Sequence, residues 1–195
     1  MIHHKDPKFL FVHLPKNAGS SVTKVLADYV GIDREELRPQ KHKFIYAKDI
    51  SSVLGGQQDD YFIFTVIRNP WDRVVSYFHY LQQIRQPPHN LDKNVMFPNW
   101  VNAGGFKSLQ TQMSQLSDSG FPTPSTHIDY VARVETLPED WPKICDEMGI
   151  DCKMMHDKKS KHKHYSSYYN NKTKDIIYKF YTSDINGLGY EFEVQ

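Results

Sequence analysis

Two segments about fifty residues apart constrain this chain more than anything else in it. Phe9–Val22 reads FLFVHLPKNAGSSV, and Tyr61–Tyr77 reads YFIFTVIRNPWDRVVSY. Each is a short apolar run, then a tight turn with a cation, then the start of a helix. Tyr61–Ile67 has little polar alternation, as expected of a central strand covered on both faces. Phe9–Leu14 is a second strand of the same kind. Strands alternating with helices imply an α/β layer fold with a mainly parallel sheet. Two strand–turn–helix corners in one small domain can hold two anionic groups of one ligand, which points to a phosphate-rich nucleotide.

The 195 residues suit a single domain with a core that needs no staples. Lys plus Arg (24) nearly balances Asp plus Glu (23), so bulk charge points neither to nucleic acid nor to an anionic membrane. Any basic site must be local. An aromatic content of 13% favours a packed core over disorder. Cys145 and Cys152 do not form a CxxC pair and are too few for a disulfide framework, which fits a reducing compartment. The first sixteen residues contain too short an apolar run for a signal peptide or a membrane span. The expectation is a cytoplasmic protein.

Along the chain, a helix is expected from Ser20 or Ser21 to about Val30, with Gly31 as its stop. Asp33–Gln40 reads as loop, Phe44–Tyr46 as a possible strand edge, and Ile50–Leu54 as a short helix. Asn69 is a good N-cap, Pro70 suits the first helical position, and Asp72 lies in the favoured first turn. Val74, Val75, Phe78 and Leu81 give that helix an inward face, and it should end before Pro87. Pro98–Leu116 reads as helix interrupted near Gly104-Gly105, and Ser117–Thr126 as loop. Ile128–Val134 is a third strand, followed by a helix across Trp141–Met148. Thr173–Tyr181 is an amphipathic helix, and Gly187–Phe192 reads as a docked end. No linker or repeat divides the chain. The predicted fold is a P-loop-like single domain, a central and mainly parallel sheet flanked by helices.

The first corner is Pro15–Ser21. Gly19 permits a tight turn and a close approach to a ligand. The N–H groups that open the following helix have no intrahelical partner, and with the helix dipole they form an anion cradle. Ser20 and Ser21 add hydroxyls, and Lys16 adds a flexible point charge. The order differs from Walker A, in which the lysine follows the second glycine; here Lys16 precedes Gly19 by three residues. The second strand ends in Arg68, where an Asp would be expected to hold Mg²⁺. The plain alternative is a strand–helix turn with a surface lysine.

The second corner places Arg68 at the end of the central strand, with a planar fork suited to a phosphate dianion. Ser76 lies two turns into the helix, on the face of Arg73. Arg68 and Ser76 can grip one phosphate from two sides. The alternative for Arg68 or Arg73 is an ion pair with Asp72 or another carboxylate; the ligand is favoured for Arg68.

PKNAGSS after FLFVHL, with IRNPWDRVVSYF after a second strand, resembles the sulfotransferase superfamily. It looks most like the carbohydrate-type sulfotransferases of family 2 that include the uronosyl 2-O-sulfotransferases. VARVETLPEDW and the stretch from Ser160 to Phe192 resemble further blocks of that family. The resemblance implies 3′-phosphoadenosine 5′-phosphosulfate (PAPS) as donor, with no metal. It places Lys16, Asn17, Ala18, Gly19, Ser20 and Ser21 at the 5′-phosphosulfate, and Arg68 with Ser76 at the 3′-phosphate. Asn17 stands where the family usually has Thr. The acceptor implied is a hydroxyl, of a carbohydrate or of another hydroxyl-bearing molecule such as a lipid-linked sugar or a small alcohol.

Sulfuryl transfer needs a base for the acceptor proton and a cation for the leaving oxygen. Lys16 suits the second role. His42 lies between the two corners, where related enzymes place a catalytic histidine, and it is the candidate base. His13 and His79 read as structural. Lys158–Tyr165 is strongly basic, either a solvated loop or a lid over the nucleotide, and the resemblance favours Lys161 and Tyr165 as donor contacts. Two other functions compete: an ATP-dependent P-loop kinase or NTPase, and a nucleotide-binding module without a working base.

Overall fold

A computed structural model describes residues 2–31, 47–84, 90–118, 124–151, 153 and 163–194. Four strands form one sheet: β1 (Ile2–Lys5), β2 (Lys8–Val12), β3 (Phe62–Ile67) and β4 (Tyr130–Arg133), in that spatial order. The helices are α1 (Gly19–Val30), α2 (Ile50–Val53), α3 (Pro70–Gln83), α4 (Phe97–Asn102), α5 (Gln112–Leu116), α6 (Leu137–Met148), α7 (Asn171–Phe180) and α8 (Thr182–Gly187).

β2, β3 and β4 run parallel, with Phe11 beside Phe64 and Ile67 beside Arg133. β1 is an antiparallel edge strand pairing Ile2 with Phe11. The mainly parallel α/β sheet flanked by helices is therefore present. β1 lacked a sequence signal because IHHK contains one apolar residue; Ile2 alone is fully buried, and polar side chains suit an edge.

The described residues pack as two compact units. One is drawn from Met1–Ile67 and Gln112–Lys159, the other from Arg68–Thr111 and Ser160–Gln195. Each unit is assembled from two separate stretches of the chain.

In the first unit, Phe9, Phe11, Phe64, Val66 and Ala132 from the strands meet Val22, Val25 and Leu26 of α1 and Trp141, Ile144 and Met148 of α6. Phe11 and Phe64, neighbours across the β2–β3 ladder, stack at 5.1 Å between ring centroids, and Trp141 stands edge-on to Phe64 at 6.4 Å. α1 stops at Gly31, whose φ of 70° completes the left-handed cap expected there. α6 begins at Leu137, a turn before the predicted Trp141, because Pro138 fits its first turn.

In the second unit, Trp71, Val74, Val75, Phe78 and Leu81 on α3 pack against Phe97, Trp100, Phe106, Tyr165, Ile177 and Tyr181. The inward face of α3 is thus as expected. The predicted helix over Pro98–Leu116 is three pieces: α4, a 3-10 turn at Gly105–Ser108, and α5. The interruption is wider than two glycines because Leu109 turns extended and buries its side chain. α7 begins at Asn171, since Asn170 and Thr173 form a reciprocal capping box. Phe180, expected on its apolar face, is 38% exposed but stands edge-on to Phe106 at 5.1 Å. Asp33–Gln40, Phe44–Tyr46 and Cys152 lie outside the described residues; Cys145 is buried in the core of the first unit.

Candidate anion-binding site

β2 delivers the chain into a turn at Pro15–Ala18, and α1 leaves it. The left-handed backbone that the turn needs falls on Lys16 (φ 70°) and Ala18 (φ 55°), not on Gly19. Each such non-glycine residue costs of order 1–3 kcal/mol, and it persists where surrounding contacts over-determine it. Gly19 is already helical. Its missing side chain has another cause: an added Cβ would overlap the His13 imidazole. His13 itself stacks on Phe11 at 5.7 Å, so the ring is a fixture of the turn, as its structural assignment implies.

Asn17 is 1% exposed and turned inward. Its Nδ2 donates to the Val66 carbonyl of β3 at 2.9 Å and to Gln112 Oε1 of α5 at 2.6 Å. Its side-chain nitrogen therefore serves the protein. α1 opens with no side-chain cap and no acidic residue in its first turn. Its first bonds are Ser21 N to Ala18 O at 2.9 Å and Val22 N to Ala18 O at 3.2 Å, which leaves the Gly19 and Ser20 N–H groups ahead of them. Ser20 is exposed, and Lys16 and Ser21 are half-buried. A helix start without a side-chain cap or an acidic residue in its first turn can attract an anion.

The second corner opens the other unit. Asn69 accepts from Trp71 N at 3.1 Å, the N-cap that the sequence implies, with Pro70 behind it. Arg68 Nε donates to Asp72 Oδ2 at 2.7 Å, one turn on. The side chains are 11% and 19% exposed, so the pair is sheltered and fixes the plane of the guanidinium. The ion-pair alternative thus exists beside the ligand reading, and orienting a fork serves both. Ser76 is half-buried on α3. Arg73 is fully buried and donates to the Gln110 carbonyl at 2.8 Å. Burial lowers its pKa to about 10, while Tyr181 and Asp184 push it back up.

Tyr165, expected over the nucleotide, is a core residue. Its hydroxyl accepts from Glu193 N at 2.7 Å and from Asn69 Nδ2 at 3.4 Å, and burial raises its pKa. Asn69 Nδ2 also donates to the Glu191 carbonyl at 2.9 Å. Phe192 stands edge-on to Trp71, Tyr165 and Tyr169 at 5.3–5.6 Å, beneath Lys174 Nζ. The docked end is therefore tied to the turn that carries Arg68. Sequence reasoning saw Asn69 as a cap and Phe192 as packing, but not their link. The signal was a polar side chain with two spare donors beside a buried tyrosine. His42 and Lys161 lie outside the described residues.

Residues 1–191 match the model of the Sulfotransferase family. The chain belongs to the sulfotransferase family. A solved structure of mouse sulfotransferase SULT7A1 complexed with PAP is similar at 13% identity, covering 100% of this chain and 70% of that one, with a TM-score of 0.49. No curated protein matches the chain. Among the described residues of this sulfotransferase, no group of three His, Cys, Asp or Glu is placed to hold a metal ion. Among them, too, no helix is long and apolar enough to cross a membrane.

Proposed function

We propose that this sulfotransferase moves a sulfuryl group from PAPS to the hydroxyl of a carbohydrate. The observation that carries the reading is the Lys16–Ser21 turn, a strained loop leading into an uncapped helix. In this reading the Gly19 and Ser20 N–H groups, with the Ser20 and Ser21 hydroxyls, hold the 5′-phosphosulfate. Arg68, oriented by Asp72, and Ser76 hold the 3′-phosphate. Lys161 adds a contact from the basic segment.

The acceptor oxygen forms its bond to sulfur as the bond from sulfur to the bridging phosphate oxygen breaks. The electron pair of that bond stays on the phosphate, where Lys16 meets the developing charge. The acceptor proton passes to His42. Family membership supports the reaction class and the donor. The resemblance to uronosyl 2-O-sulfotransferases supports a sugar hydroxyl.

A titration with adenosine 3′,5′-bisphosphate in the absence of Mg²⁺ tests the donor. Tight binding supports it, and a preference for Mg²⁺-dependent ATP would favour the kinase reading instead. Transfer of labelled sulfuryl groups into a glycan panel tests the acceptor. His42→Ala should abolish transfer while retaining donor affinity; full activity in that variant removes His42 as the base.

A further inference from the structure

We propose that Gln112 is a positioning residue for the donor loop, acting through Asn17; this rests on the PAPS reading above. Lys16 and Ala18, both left-handed, flank Asn17. A turn with two such residues in three needs an external hold. The Asn17 side chain is that hold. The Val66 carbonyl can only accept, so the Asn17 amide must present its nitrogen there, and the second proton of the same nitrogen reaches Gln112 Oε1. Asn17 Oδ1 is buried and takes no hydrogen bond among the described residues, so both polar ties run through Nδ2.

The two anchors differ in kind. Val66 belongs to β3, the strand paired on both sides, and its carbonyl is present whatever the side chain. Gln112 is a fully buried side chain on a helix of five residues. It is the anchor that a single substitution can remove. Without an acceptor at 112, one Asn17 donor is buried and unpaired, and the loop relieves it by shifting. That shift moves Lys16 on one side and the Gly19 and Ser20 N–H groups on the other, and small displacements of binding groups carry large kinetic penalties.

Gln112→Met keeps the volume and deletes the acceptor. The expected result is a rise of about tenfold or more in donor KM and in the Kd for adenosine 3′,5′-bisphosphate, measured well below the melting temperature. Gln112→Glu keeps an accepting oxygen in either protonation state and should stay within a few-fold of wild type. If Gln112→Met fails to fold, Asn17→Ala must show the same rise. A lowered Tm with donor KM and Kd unchanged overturns the inference, because a purely structural glutamine would behave that way. Failure of the wild-type protein to bind the bisphosphate is a different result; it removes the PAPS reading itself.

Discussion

The left-handed backbone of the turn before α1 falls on Lys16 and Ala18, while the glycine beside them is helical and owes its identity to the His13 ring packed on it. Gly19→Ala should therefore act through His13. Overpacking of this kind typically costs about 1–3 kcal/mol. In a His13→Ala background the same substitution should cost much less, giving a coupling of about 0.5–3 kcal/mol in a double-mutant thermal denaturation cycle. Strict additivity would place the strain elsewhere. The sequence announced the loop, because PKNAGSS between strand and helix has few other uses. It could not announce which residue carries the positive φ, since that depends on Asn17 being pulled inward by Val66 and Gln112 from distant parts of the chain. Arg68 was legible as the end of a strand, and its partner Asp72 as one of two alternatives. Arg68→Ala should erase most of the preference for adenosine 3′,5′-bisphosphate over 5′-AMP. Loss of a charge-assisted pair of about 1.5–3 kcal/mol predicts a drop of roughly 10- to 100-fold in competition binding.

At the scale of elements, α3 shows how much local chemistry can specify. Asn69, Pro70, Asp72 and the apolar stripe from Val74 to Leu81 each point to the same start and the same buried face, and the helix follows them. β3 was equally plain, being apolar throughout. The edge strand β1 and the break-up of Pro98–Leu116 were not, because polar edge pairing and the burial of Leu109 are set by neighbours distant in sequence. Asn69 does more than cap. Asn69→Ala removes the acceptor for Trp71 N and both donors, to Glu191 O and Tyr165. Cap loss alone costs about 0.5–2 kcal/mol, so chemical denaturation should show at least the upper part of that range. Asn69→Asp keeps the cap acceptor but loses the tie to the C-terminal segment, and should fall between the two.

For the molecule as a whole, the tyrosines packed into the second unit predict a loss of stability at high pH. Burial pushes the pKa of Tyr169 well above its ordinary value near 10, and it raises Tyr181, which donates to the Leu109 carbonyl at 2.6 Å. In the unfolded chain both ionise near pH 10. Above that pH the native state binds more protons than the unfolded state, so stability that is complete below pH 10 is lost as pH rises toward the folded values. Arg73, held at about 10, works in the opposite sense above pH 10, because unfolding restores its proton. With Tyr130, Tyr165 and Tyr168 also raised by burial, the tyrosines outnumber it. Thermal midpoints should fall steadily above pH 10, and Tyr181→Phe should flatten that fall.

The donor assignment proposed above is what the remaining measurement must decide. The central claim is that this sulfotransferase takes PAPS as its donor and so recognises an adenine nucleotide by its 3′-phosphate. Calorimetric titration of the wild-type chain in EDTA, with adenosine 3′,5′-bisphosphate, 5′-AMP and ATP as ligands, tests it most directly. The account predicts that the bisphosphate binds at least tenfold more tightly than either competitor, without divalent metal. Equal affinity for 5′-AMP and the bisphosphate, or binding of ATP alone, would contradict it.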